Sequence, residues 1–166
     1  MGGFAGPRRR GVLALGAATV LGACTSTAQG TDGNKVRTDS EPLERRFAAL
    51  GPLSNAHWLG VVLGTDSRGS VPGPTDVRVV GLAQLRAGGA AIIAGTPQHG
   101  FLPATPNQLP DVLTQFMPKG ARWVRSESFD RAVTGGRYSG AFYVDPDTDW
   151  ACFDTTNPSA VPSSGP

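Results

Sequence analysis

Asp145, Asp147 and Asp149 alternate along the chain, the spacing at which carboxylate oxygens open a calcium-binding loop. That pattern also demands a glycine at the sixth place and a bidentate glutamate at the twelfth. Here those places hold Trp150 and Thr156. Because Asp-Pro and Asp-Thr steps also favour turns, the same run reads as the turn of a hairpin. His57 and His99 are the only histidines, and beyond Cys24 the one possible sulfur ligand is Cys152. No pair among them has metal-ligand spacing. The three aspartates are therefore a weak calcium candidate, no other metal site is assigned, and no cofactor is called for.

Acyl-transfer chemistry needs a nucleophile, a base and a group that orients the base. Ser67 or Ser70, His99, and Asp66 or Asp76 are the available types. None of them stands in a Gly-x-Ser-x-Gly elbow or a Ser-x-x-Lys motif, and no glycine-rich loop ends in Gly-Lys-Ser/Thr to cradle a phosphate. Glu44 and Glu127 are scattered acids rather than a facing pair, so glycoside hydrolysis has no basis. No catalytic set is assigned, and a small hydrolase using the loops around Asp66 and His99 stands as an alternative. The same two loops, with Asp66, Arg68, His99 and Phe101, are the candidate partner-binding surface, since loops held on a rigid sheet commonly carry recognition. Trp58, Trp123 and Trp150 lie inside strand-like runs, which favours core packing over a role as interface anchors.

The elements that must hold these residues follow from periodicity and punctuation. Ser40 precedes Glu41 and Pro42, with Leu43, Phe47 and Leu50 at helical spacing and Gly51-Pro52 as a stop, which predicts one amphipathic helix. Residues 57–64 are a continuous apolar run and read as a central strand buried on both faces. Residues 65–75 form a long connection rich in Gly and Pro. Residues 76–85 and 90–94 read as two strands joined through Gly88 and Gly89 in an antiparallel hairpin. A second loop, residues 95–106, leads to a helix with Leu109, Val112, Leu113 and Phe116 on one face. Strands over 121–126, 136–144 and 150–155 complete the order, the last two joined by the aspartate turn. Cys152, inside the last of them, reads as a buried inert thiol. The expectation is an α+β fold, a single antiparallel sheet of five or six strands covered by two short helices, over residues 40–156.

The remaining segments are an address. Residues 1–23 contain no acid, place Arg8-Arg9-Arg10 before the apolar run 12–20 and end in small residues, the three-part layout of an export signal. That run is too short and too broken by glycine to span a bilayer. Leu21-Gly22-Ala23-Cys24 resembles the lipobox of bacterial lipoproteins, a resemblance covering the first 24 residues only. It implies cleavage before Cys24 and attachment there of two or three fatty-acyl chains such as palmitate, enough for stable anchoring in the cell membrane on its extracytoplasmic face. The alternative is a plain secretory signal with an incidental cysteine. Arg9-Arg10-Gly11-Val12-Leu13 also looks like a twin-arginine motif, which would imply Tat export of a folded domain. Residues 25–39 are almost devoid of apolar side chains and read as a tether, and residues 157–166 as a disordered tail.

Charge narrows the partner. Three of the fifteen basic residues lie in the leader, leaving twelve against thirteen acids after Cys24. A chain so close to neutral lacks the field that nucleic acid requires. The functional expectation is a non-enzymatic binding or regulatory lipoprotein, an accessory or negative regulator of a cell-envelope sensor. It meets the membrane through its N-terminal lipid and an extracytoplasmic protein as partner. The alternatives are the small hydrolase and a calcium-stabilised envelope protein.

Overall fold

The computed structural model describes residues 2–3, 35–63 and 76–160. Leu21, Gly22, Ala23 and Cys24, and in the first loop Asp66, Ser67, Arg68 and Ser70, lie outside the described residues. Six strands, β1 (Leu53–Leu63), β2 (Asp76–Leu85), β3 (Leu102–Pro103), β4 (Val124–Arg125), β5 (Ser139–Asp145) and β6 (Trp150–Thr156), form one sheet in the order β1-β2-β6-β5-β4-β3. Every neighbouring pair is antiparallel. The fold is α+β with a single antiparallel sheet. Among the described residues the α-helices are four and short: α1 (Glu41–Glu44), α2 (Gly89–Ala94), α3 (Asp111–Thr114) and α4 (Glu127–Thr134).

Both faces of the sheet are covered, which is why the strands read as nearly unbroken apolar runs. Alternate residues of β2 divide between two clusters: Val79, Ala83 and Leu85 join the first, while Val80 and Leu82 join the second. The first cluster is closed by Leu43, Phe47 and Leu50 and by Phe129 and Val133 of α4. Phe47 is the centre of this layer, its ring 5.1 Å from both Phe142 and Phe153. The second face is crossed by the chain between β3 and β4. This segment passes Arg78, whose guanidinium donates to the Gln108 carbonyl at 2.9 Å. It packs Leu109 and Leu113 over the sheet, stacks Phe116 on His57 with ring centroids 3.8 Å apart, and returns to Trp123.

Several local expectations are corrected. Residues 90–94 are not a strand but lie in α2. β2 already has β1 on one edge and β6 on the other, so no hydrogen-bonding edge is left for a hairpin partner, and an Ala-rich run takes the helix it prefers. β1 is an edge strand rather than a central one, apolar because the face coverings extend over it. At its start Asn55 takes a positive φ of 45° and the register shifts between Ser54 and His57. Gly81 fits this bulge, because a Cβ there would lie 2.5 Å from both the His57 carbonyl oxygen and Trp58 Cβ. The opening helix breaks after one turn and resumes as a 3₁₀ turn, Ala48–Leu50. It still buries Leu43, Phe47 and Leu50. The Ser40 side chain makes no cap; its carbonyl accepts from Leu43 N and Glu44 N.

Both sheet edges are blunted. Ala104 N donates to the Trp123 carbonyl at 3.1 Å, so strand alternation turns the Pro103 nitrogen, which bears no hydrogen, to the outer edge of β3. At the other edge Arg37 exchanges two backbone hydrogen bonds with Trp58, at 2.8 and 3.0 Å. Its guanidinium lies 4.1 Å above the Trp58 ring.

Candidate functional site

His99 and Phe101 sit just before β3, on the face that α4 covers. Ser126 is the N-cap of α4 and its Oγ accepts from Phe129 N at 3.2 Å. The same hydroxyl donates to the His99 carbonyl at 2.5 Å. Ser128 Oγ lies 3.1 Å from His99 Nδ1, with the carbonyls of Gln98 and His99 at 3.3 and 3.2 Å. Phe101 leans on Phe129, centroids 5.4 Å apart. A histidine is thus beside a serine, although the serine is neither Ser67 nor Ser70.

The chemistry of this contact is limited by its other partners. A hydroxyl has one proton, and that of Ser128 has two carbonyls and the Ser126 hydroxyl to satisfy as well as the imidazole. Among the described residues no carboxylate hydrogen-bonds His99. Asp130, in the same helix as Ser128, is committed elsewhere: it accepts from Phe142 N at 2.8 Å and from Arg125 Nε at 2.9 Å. Burial pushes its carboxyl above the usual carboxylate value, opposed by Phe142 N and Arg125. The serines fasten the 96–101 loop to the start of α4. Asp76, at the start of β2, accepts from the Asn157 side-chain amide at 2.6 Å. The β2 strand that carries it is four strand spacings from β3, about 19 Å across the sheet.

The three aspartates of the calcium candidate do not converge. Asp145 is fully buried and accepts from Asp147 N at 3.2 Å and Thr148 Oγ1 at 2.5 Å. Asp147 pairs with Arg122. Asp149, at φ 58°, accepts from Gly88 N and Ala90 N at 2.8 and 3.0 Å, which holds the start of α2. Each carboxylate thus serves a hairpin turn or its neighbour, and no group of three His, Cys, Asp or Glu able to hold a metal exists among the described residues. The His57 Nδ1 is buried without a hydrogen-bond partner. Cys152 is buried, and burial pushes its thiol up to about 12. Trp58 and Trp123 are core residues. The Trp58 indole donates to the Asp39 carbonyl at 2.9 Å.

A concavity lies at the end of the sheet where β3, β4 and the β5–β6 turn meet. It is an open cleft of about 690 Å³. Pro103, Ala104, Trp123, Val124 and Pro146 supply most of its wall, and Arg122 and Asp147 stand at it as an ion pair, Nε to Oδ2 2.5 Å. Thr105 brings the one hydroxyl. A volume of this order suits a small ligand or a few side chains of a partner. Beside it Leu102 is 69% exposed. Sequence reasoning missed this site because its wall is drawn from three segments up to 44 residues apart, none with a motif; the nearest signal was the three prolines of the loop 95–106. No family model, curated protein or solved structure matches the chain. Among the described residues no helix is long and apolar enough to cross a membrane.

Proposed function

We propose that this chain is an extracytoplasmic lipoprotein, anchored at Cys24, whose domain is a non-enzymatic binding module for a membrane-protein partner, as an accessory or negative regulator of a cell-envelope sensor. The observation that carries the binding role is the open cleft at the end of the sheet, with its apolar wall and single ion pair. It offers surface to desolvate and two charges to orient a ligand. Its lining presents neither a nucleophile beside a base nor two facing acids. The lipobox-like Leu21-Gly22-Ala23-Cys24 supports the anchor. Tethering raises the effective concentration of the domain for neighbours in the same membrane, so a cleft of modest affinity suffices.

The test is in-cell photo-crosslinking from Thr105, in the cleft, compared with the same probe at Lys119 outside it. The reading expects a discrete membrane-protein adduct from Thr105 alone, lost when Ala104→Arg fills the cleft. Equal adducts from both positions, or none from Thr105, would overturn the binding role. Cys24 found unmodified by mass spectrometry would remove the anchor.

A further inference from the structure

Arg46 is bound differently from the arginines that pair with acids. Arg78, Arg122 and Arg125 each face a carboxylate, Asp154, Asp147 and Asp130. The Arg46 guanidinium is half-buried and donates only to backbone carbonyls, those of Pro42 at 2.7 Å and Pro158 at 3.1 Å. Among the described residues no acid pairs with it. Burial lowers its pKa, and its charged neighbours Arg45 and Arg37 lower it further. Two of its five N–H groups are used, so three remain for an anion.

The surroundings add to this field. Arg45 touches Glu41 at 3.4 Å with both side chains exposed, a contact that neutralises little. Arg37 is held by Asp39, and Glu44 turns inward to accept from Leu53 N at 2.8 Å. The Tyr138 hydroxyl donates to the Arg46 carbonyl, and Arg137 stands next along the chain. Arg45 and Arg37 act on Arg46, and along residues 35–46 Lys35, Arg37, Arg45 and Arg46 stand against Asp39, Glu41 and Glu44, an excess of one positive charge. The described residues as a whole hold eleven basic and eleven acidic side chains.

Position decides what such a surface meets. The chain arriving from Cys24 joins the domain here, at Lys35–Arg37, where Arg37 bridges to Trp58. Eleven peptide steps separate Cys24 from Lys35, a span of at most about 40 Å when fully extended. We propose that the Arg46 face is a membrane-contact surface, resting on the phosphates of anionic lipid headgroups and so turning the cleft at the far end of the sheet away from the bilayer. This inference rests on the anchor at Cys24 assigned above. Weak attraction is sufficient, because the tether already confines the domain to the surface.

Flotation of the full mature chain, residues 24–166 with Cys24→Ser, tests the surface apart from the anchor. Vesicles of phosphatidylcholine are compared with vesicles half phosphatidylglycerol. The expected result is binding to the anionic vesicles only, suppressed by salt and weakened about fivefold by Arg45→Gln or Arg46→Gln. Lys119→Gln, on the segment that crosses the second face of the sheet, leaves it unchanged. Arg45 is exposed and makes no fold contact beyond Glu41, so its variant remains informative if Arg46→Gln impairs folding. Equal binding to both vesicle types, no binding to either, or an equal loss with Lys119→Gln overturns the proposal. So does release from the vesicles by inorganic phosphate at constant ionic strength, which reassigns the site to a soluble anion. Failure here with Cys24 acylated leaves the anchor standing, and an unmodified Cys24 leaves the vesicle result as it is.

Discussion

At the residue scale, similar side chains do unlike work according to what they face. Asp145, Asp147 and Asp149 share a spacing, yet one is buried in its own turn, one pairs with Arg122 and one holds the start of α2. A carboxylate that accepts two backbone N–H groups contributes more than a surface ion pair. Asp149→Ala is expected to cost about 1–3 kcal/mol in denaturant unfolding. Asp149→Asn costs less, since its amide oxygen still accepts and asparagine tolerates a positive φ. A chelator leaves the melting midpoint unchanged, because these carboxylates already have protein partners; a fall on chelation would restore the calcium alternative. The types of these residues were plain from the chain, whereas their partners, such as Gly88 and Ala90 some sixty residues from Asp149, were not.

At the scale of elements, signals within one segment could be read wherever capping chemistry or spacing decided the outcome. Leu43, Phe47 and Leu50 were legible as a buried stripe, and so were β2, β5 and β6. Helix α4 had its own signals: Ser126 as N-cap, Phe129 and Val133 four apart, and Gly135 as an αL stop. They were overridden by extending a strand through Ser126, when β4 covers only Val124 and Arg125. Ser126 serves the helix and the His99 loop together, so Ser126→Ala is expected to lower stability by about 1–2 kcal/mol, at the upper end of the usual cost of losing a cap. Denaturant unfolding with an unchanged m-value checks this, and a loss of only a few tenths would show that the Ser126 hydroxyl is not the fastener. The run 90–94 failed for the opposite reason: apolar and short, it suits strand or helix, and the occupied edges of β2 made the choice.

At the scale of the whole molecule, covering both faces makes the sheet interior the least accessible place in the domain. Cys152 lies there, 3% exposed. A thiol raised from 9.0 to about 12 holds about a thousandfold less thiolate at mildly alkaline pH. Cys152 is expected to resist an aromatic disulfide reagent in the native protein and to react fully once the chain unfolds. Rapid native labelling would show that the segment over the second face opens by itself. The amino-acid sequence alone determined the near-neutral charge, the class of fold, the β5–β6 turn and the case for an anchor at Cys24, because each depends on composition or on residues a few positions apart. Tertiary structure alone decided the strand order, the helix at 90–94, the pairing of each aspartate, the His99–Ser128 contact and the cleft. These depend on which hydrogen-bonding edges are vacant and which segments meet across the sheet, and such contacts join residues dozens of positions apart that no local spacing encodes.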